Sequence, residues 1–391
     1  MLASDLDTTH RFFVPAAKGT EGVLKRELAA FLGRPVRGQR GGACFRGTLV
    51  DGLQVCLFSR IGQRVLLAVG EGPADDGDAL YTAARSVPWE RMLTPETPFS
   101  VRATGGNAAL RHGHFIALRT KDAVADRLRA HLGRRPDVDR EDPAVRIAVH
   151  VAGDRACFYL DLAGAPLHQR GYRTEAGQAP LRETLAAAVL ALAPVGAEEA
   201  IVDPMCGSGT LVIEQAQVAL GIAPGLGRRF AFHRWPGFHG GPAQAAWDRL
   251  VARARAARRP TRAALMGRDH DPRVLEVAAR NARRAGVAEW VRFEQRDARD
   301  LSGLPAGVTI VTNPPYGTRL GRRSRQLDGF LRHFAAACQA CRPRPRLVVL
   351  TGHPRFERLF GGTPRRRHTL FNGPLECRLL VYPGDEAPSA E

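Results

Sequence analysis

The chain predicts an α/β protein, with a C-terminal parallel sheet that carries an antiparallel last strand behind an α+β N-terminal half. Three observations carry this. Beyond residue 180, helical and strand patterns alternate, the rhythm of a parallel sheet covered by helices. That run closes on two strands flanking the dipeptide Asn372-Gly373, which suits a two-residue hairpin turn. Ahead of it, strands and helices mix without regular alternation. With 391 residues, 44% of them hydrophobic, the chain has material for two or three cores.

Taken in order, apolar residues recur at helical spacing over 21–32, with short strands around 44–45 and 65–69. A strand over 98–104 and a helix over 114–132 follow. Residues 145–151 and 156–162 read as paired strands across the turn Ala152, Gly153, Asp154. Residues 162–180 are rich in Gly and Pro with little periodicity, which marks a linker. Helices over 182–192, 210–220, 273–285 and 327–340 then alternate with strands over 200–203, 264–269, 291–295, 308–312 and 346–351. The hairpin strands are 369–371 and 375–382. The expected division is 1–70, 71–162, a linker 163–180, a sheet domain 181–383 and a frayed tail 384–391.

Lys and Arg number 57 against 39 Asp and Glu, a formal charge of +18, and only Lys18, Lys25 and Lys121 are lysines. The excess excludes an acidic solvating protein and points to a polyanion, nucleic acid or an anionic membrane. No run of about 18 apolar residues is present to span a bilayer. The opening MLASDLDTTHRFF has neither the basic nor the apolar region of a signal peptide. Seven cysteines, thinly spread, make no disulfide framework, so a reducing cytoplasm is expected. Cys338 and Cys341 have CxxC spacing, but no second ligand pair matches them. Two small side chains facing a core is the better reading, and no metal is expected.

The loop DPMCGSGT, 203–210, lies between the first strand of the alternating run and its helix. In an open parallel sheet, ligands bind at the carboxyl ends of strands near the switch point. Gly207 and Gly209 let backbone approach a ligand, and the helix N-terminus offers free amides. No GK[ST] follows and no full GxGxxG is present, so a nucleoside-triphosphate cradle is disfavoured. Asp203 would repel a pyrophosphate but suits a cationic ligand. S-adenosylmethionine carries an ammonium and a sulfonium. Asp203 can pair with the amino group while the glycines meet the carboxylate and ribose. The alternative is a tight turn capped by Ser208 and Thr210. Asp269, ending the second strand, can accept both ribose hydroxyls. Asp297, ending the third, can hold the adenine edge through its oxygen or through the Ala298 amide. Either acid can instead cap the turn that follows, and Asp271 before Pro272 reads as such a cap.

TNPPYG, 312–317, ends the fourth strand. Pro314 and Pro315 fix φ and remove two amide donors, so the loop is stiff. The Asn313 side-chain oxygen and the Pro314 carbonyl can accept the two N–H groups of an exocyclic amine, and the Tyr316 ring can stack on its base. Drawing those hydrogens toward two acceptors frees the nitrogen lone pair for in-line displacement, catalysed by positioning and electrostatics. The alternative is a proline-stiffened turn with a packed tyrosine.

With these residues in hand, the chain resembles the THUMP-domain class I RNA methyltransferases, most of all the bacterial 23S rRNA guanine 2-amino methyltransferases. The resemblance spans nearly the whole chain, through AAKGTEGVLKREL (16–28), LFSRIGQRVLL (57–67), LRTKDAVADRLR (118–129), DLAGAPLHQRGYR (161–173), APLRETLAAAVL (179–190), NPPYGTRLG (313–321) and LFNGPLECRLLVY (370–382). It implies a ferredoxin-like segment, an RNA-gripping THUMP domain and a Rossmann-like catalytic sheet. It implies S-adenosyl-L-methionine held by Pro180, Thr184, Asp203, Met205, Cys206, Gly207, Ser208, Gly209, Asp269, His270, Asp297, Ala298 and Asn313. The catalytic set it implies is Asn313, Pro314, Pro315 and Tyr316. Thr318 departs from relatives that often carry an acid there.

For RNA contact the resemblance favours Arg119, Lys121 and Arg127 in the N-terminal half. In the C-terminal half the clusters Arg322, Arg323, Arg325 and Arg365, Arg366, Arg367 can flank the cleft and hold phosphates, or form a solvated surface. FAFHRW, 230–235, interleaves aromatic and basic residues and can stack unpaired bases or pack on a sheet edge. The expected reaction is methylation of a guanine 2-amino group in 23S rRNA by a monomer with no membrane partner. The same chemistry on an acceptor-stem guanine of tRNA, and an inactive RNA-binding assembly factor, are the alternatives.

Overall fold

A computed structural model describes residues 6–173, 181–193, 195–316 and 322–385, leaving aside the side chains of 322–324. The chain forms two compact units. The first comprises residues up to Ala16, Lys25–Leu167 and Gly225–Arg253; the second comprises Ala17–Leu24, His168–Pro224 and Ala254 onward.

Strands β1 (His10–Pro15), β2 (Arg37–Gln39), β3 (Gly42–Gly47), β4 (Leu66–Pro73), β5 (Phe99–Gly106), β6 (Val145–Ala152) and β7 (Arg155–Asp161) form one sheet. Its order is β2-β3-β1-β4-β7-β6-β5. Neighbours are antiparallel except β5 and β6. The segments 1–70 and 71–162 therefore share a sheet, because β4 straddles that boundary and pairs with β1 on one side and β7 on the other. The helices of this half are α1 (Glu21–Leu32), α2 (Leu49–Phe58), α3 (Gly77–Ser86) and α4 (Gly113–Leu132). Thr48 and Asp51 form a reciprocal capping box at the start of α2, and Asp76 accepts from the amides of Asp78 and Ala79 to start α3. Alternate residues of β6 are buried, as period-two patterning requires.

Along the rest of the chain run α5 (Glu183–Leu192), α6 (Thr210–Ala219), α7 (Pro242–Ala256), α8 (Pro272–Arg284), α9 (Arg322–Ala340) and α10 (Phe356–Phe360). Residues 225–253 lie in the part of the sequence expected to be sheet domain, yet they pack with the first unit. The Gly225 amide donates to the Leu57 carbonyl and Arg228 Nη1 to the Leu167 carbonyl, each at 2.9 Å. Within the segment Phe230, Phe232, Trp235, Phe238 and Trp247 are all buried, with Phe230 stacked on Phe232 at 5.3 Å. FAFHRW is thus core packing and keeps its rings from solvent.

The second sheet joins β8 (Ile201–Asp203), β9 (Leu265–Asp269), β10 (Val291–Gln295), β11 (Thr309–Thr312), β12 (Arg346–Thr351), β13 (Arg366–Asn372) and β14 (Leu375–Tyr382). Its order is β10-β9-β8-β11-β12-β14-β13. β8 to β12 run parallel, and β14 pairs antiparallel with both β12 and β13. The hairpin turns at Gly373, φ +64°. Strand order reverses between β8 and its neighbours β9 and β11, so the crevice beyond the carboxyl ends of β8 and β11 is the expected ligand site. One side of this sheet packs on α9, whose Leu331, Phe334 and Cys338 are buried with Val202, Ile310, Leu347 and Leu380; Cys341 packs against the same cluster. The cysteine pair is core, as read from the sequence.

Candidate active site

The loop after β8 is pinned from three directions. The Asp203 carboxylate, 2% exposed, accepts at Oδ1 from the Met205 amide at 3.1 Å and from the Thr312 hydroxyl at 2.7 Å. Asp269 Oδ2 accepts from the Gly207 amide at 3.0 Å, while its Oδ1 accepts from the Asp271 amide at 3.1 Å and faces His270 Nδ1 at 3.1 Å. Asn281, fully buried on α8, donates from Nδ2 to the Ser208 carbonyl at 3.1 Å. Asn281 was not foreseen; one asparagine inside a helix carries no sequence signal.

The glycines divide in role. Gly209, φ +81°, has Phe293 and Ala278 where a Cβ would stand, 3.1 and 3.2 Å away. Gly207, φ +51°, has nothing within 4 Å of that position. The first is packed, and the second opens on free space. Gly267 in β9 is also obligatory, because a Cβ there would lie 2.8 Å from Phe293 and 3.0 Å from Cys206 Sγ.

Burial pushes the Asp203 carboxyl up to about 7, opposed by the Thr312 and Met205 hydrogen bonds and reinforced by the nearby Asp269 charge. Among the described residues no cation pairs with it. A buried carboxylate is costly without one, so the pocket fits a positively charged group. Asp297 behaves differently. Arg299 grips it through Nε at 2.8 Å, Nη2 at 2.6 Å and its amide at 2.8 Å, and these bonds hold the carboxyl down to about 2. Its geometry is that of a capped turn, and Ala298 beside it is buried. Thr184 is buried in the first turn of α5. Asp271 caps α8 through the Arg273 amide at 2.9 Å, as its place before Pro272 predicts. Pro180 and Thr318 lie outside the described residues.

Immediately after Thr312, Asn313 carries a buried Oδ1 that has no hydrogen-bond donor among the described residues. Pro314 is buried, Pro315 exposed and Tyr316 half-buried. Tyr316 Oη accepts from Asn372 Nδ2 on β13 at 3.1 Å. Its ring lies beside Gly352, where a Cβ would come within 3.0 Å of Cδ2. Burial raises the phenol to about 12, so it stays protonated.

Two strand ends thus meet through one hydrogen bond, Thr312 to Asp203, with a cation-seeking carboxylate on one side and an unfilled acceptor on the other. Residues 170–380 match the family described as RMKL-like, methyltransferase domain. The chain belongs to the RMKL-like methyltransferase family. Residues 74–161 match the THUMP domain and 11–66 the RlmL ferredoxin-like domain. A ribosomal RNA large subunit methyltransferase K/L of Syntrophotalea carbinolica is 40% identical, the alignment covering 98% of this chain and 56% of that protein. The Allochromatium vinosum protein of the same name is 39% identical, covering 95% and 51%. The chain spans about half the length of these curated relatives. SMU.472, crystallised with SAH, superposes with a TM-score of 0.87 at 29% identity, covering 98% of this chain and 100% of that one.

In this RMKL-like methyltransferase the basic side chains of the first unit sort into two groups. Arg127 is bidentate to Glu90, 2.7 Å for each bond, and also donates to the Arg85 carbonyl at 2.9 Å. Arg119 pairs with Asp78, donates to the Gly77 carbonyl and lies 4.6 Å over the Tyr81 ring. Both guanidinium groups are therefore committed to tying α4 to α3 and the turn after it. A different set lines a groove of about 680 Å³ on the sheet face. Arg40, Arg102, Arg140, Arg146 and His150 stand there with Lys121, and the one carboxylate among the lining residues, Asp161, is paired to Arg64. Leu118 and Val138, 40% and 44% exposed, add apolar surface. Of the three expected N-terminal contacts, the structure brings only Lys121 to this groove. Arg322 and Arg323 begin α9, and their side chains lie outside the described residues.

Proposed function

We propose that the chain transfers the methyl group of S-adenosylmethionine to the exocyclic 2-amino group of a guanine in 23S rRNA. The observation that carries this is the Thr312–Asp203 hydrogen bond, which brings together, among the described residues, a buried carboxylate without a cation and a buried asparagine oxygen without a donor. When bound, S-adenosylmethionine supplies an electrophilic methyl group on a sulfonium. The open side of Gly207 gives it room, Asp203 would hold its ammonium, and Asp269 would face its ribose hydroxyls. Asp297, with its oxygens on Arg299, contributes through the shape of its turn.

The protein's own residues do the rest. Asn313 Oδ1 accepts one amine hydrogen, which satisfies an atom that otherwise loses a hydrogen bond on burial. The Pro314 carbonyl takes the other. With both hydrogens bonded to these acceptors, the nitrogen lone pair is free to attack the methyl carbon as its bond to sulfur breaks, and the methylated nitrogen then releases one proton to solvent. Tyr316, neutral and fixed by Asn372 and Gly352, offers its ring to the base. Rate then comes from orientation and from fixed dipoles, with no covalent intermediate on the enzyme. A base in a duplex must leave the stack to reach this loop.

The groove of the first unit supports RNA as the substrate. Among the described residues Arg40, Arg102, Arg140 and Arg146 have no carboxylate partner, whereas Arg64 pairs with Asp161 and Lys121 with Asp122. The apolar rim suits exposed bases. Arg102, Arg140 and Arg146 are accordingly better phosphate contacts than Arg119 or Arg127. Mapping modified nucleosides by mass spectrometry in rRNA and tRNA from a deletion strain tests the substrate. Loss of 2-methylguanine at one 23S rRNA position is expected; a loss confined to tRNA overturns the rRNA assignment.

A further inference from the structure

Helix α9 follows the acceptor loop, and the carboxylate of Asp328 on it is 6% exposed. Its Oδ1 faces His353 Nε2 at 3.1 Å, and its Oδ2 faces Arg355 Nη2 at 2.7 Å. Both partners come from the turn just beyond β12. That turn is built around the imidazole: His353 Nδ1 accepts from the Arg355 amide at 3.3 Å, its own amide donates to Thr351 Oγ1 at 3.1 Å, and its carbonyl accepts from the Phe356 amide at 3.1 Å. Nε2 packs against Asp328 Oδ1 without an aligned hydrogen bond, so the directional arm of the cluster is the Arg355 contact with Oδ2. Gly352, between Thr351 and His353, is the residue against the Tyr316 ring.

A buried ionic cluster holds elements together no better than apolar side chains of the same volume, but it is directional. Here its direction runs from the helix after the acceptor loop to the turn that bounds the tyrosine of that loop. We propose that Asp328, with His353 and Arg355, is a positioning residue that sets the plane of the Tyr316 ring for amine methylation. The inference rests on the function proposed above. A ring displaced by a fraction of an ångström takes the base out of line with the methyl group, and small misplacements of this kind are costly in turnover.

The test uses the full chain with unmodified, transcribed 23S rRNA as acceptor and SAH as cofactor probe. Asp328→Asn is expected to lower kcat by about 10- to 100-fold, with KM for the RNA and Kd for SAH unchanged. A readout independent of activity is fluorine NMR of protein carrying 3-fluorotyrosine at its five tyrosines, the Tyr316 signal being assigned with Tyr316→Phe. That signal alone should shift in Asp328→Asn. Arg355→Gln, at a half-exposed position, breaks one arm of the clamp without risk to the fold and should give the same shift at smaller amplitude with about a threefold loss in kcat. A kcat within twofold of wild type for Asp328→Asn, or a Tyr316 signal unmoved in both variants, overturns the clamp. If all five signals move in Asp328→Asn, Arg355→Gln decides. A wild-type chain that methylates no guanine amine refutes the function instead, and the fluorine signals still report on the clamp.

Discussion

The two loops at the switch point of the second sheet differ in how the protein itself holds them. After β8 and β9, hydrogen bonds from other elements fix the loop, although Asn281 Oδ1 is buried without a partner among the described residues. Asp269 accepts from the Gly207 and Asp271 amides, and Asn281 holds the Ser208 carbonyl. After β11, the Asn313 oxygen is buried with no donor among the described residues. A pocket that must bind a cofactor in every cycle is preorganised, which lowers the cost of ordering it on binding. In the proposed reaction the substrate amine would supply the donor that Asn313 Oδ1 lacks among the described residues, so that hydrogen bond would form on substrate binding and act on the reaction.

The largest effect expected from this contrast is on turnover. Asn313→Ala should lower kcat by about 100- to 1,000-fold while SAH still binds within twofold of wild type by calorimetry; unchanged turnover breaks the comparison. On the cofactor side the pattern should invert. Asp269→Ala removes the acceptor for two amides, and Kd for SAH should rise by about 10- to 100-fold, a loss of about 1.5–3 kcal/mol. If its Kd stayed normal, Asp269 would have no part in the cofactor pocket.

The proton balance of Asp203 sharpens the contrast. Its carboxyl is raised to about 7 in the folded protein, so between the unfolded value near 4 and 7 the native state binds the extra proton. Folding stability from this group is present in acid and lost as pH rises. The melting temperature of the free protein should fall from pH 5 to pH 8, and the stabilising effect of added S-adenosylmethionine should grow over the same range, since its ammonium pairs with the ionised form. Asp203→Asn should flatten both trends. Glu90 has the opposite sign. Arg127 holds it down to about 2, so its contribution is present at neutral pH and lost in acid.

The smallest effects separate the two groups of arginines. RNA affinity should fall steeply with salt as counterions are released. Arg102→Gln or Arg146→Gln should reduce the salt slope by about one each. Arg127→Gln should leave that slope alone and cost about 1 kcal/mol of stability in denaturant titration. The reverse result would return RNA contact to the helix face.

Much of this was legible in order along the chain. Alternating patterns in the C-terminal half, the Asn372-Gly373 turn and the acids at strand ends are local signals, and the strands, helices and hairpin lie where they indicate. Cys338 on α9 is buried in the core, and Cys341, just past the end of that helix, packs partly buried against the same cluster. What no local signal carried was partnership. Arg127 and Arg102 are the same residue type in similar company, yet one meets Glu90, 37 positions away, and the other lines an open groove. Asp203 ends β8 and Asp297 follows β10 by two residues; the arginine on Asp297 is its near neighbour Arg299, whereas Asp203, among the described residues, meets no cation.

Composition and periodicity marked many of the strands and helices, because backbone geometry and side-chain alternation act within a few residues, but they gave no sign of β1, α2, α3, α7 or α10. The tertiary structure alone decided which carboxylates are neutralised, which cations stay free and how Tyr316 is held. Those outcomes depend on contacts between residues such as Thr312 and Asp203, 109 positions apart, whose energies are set by burial and distance once the sheet has assembled.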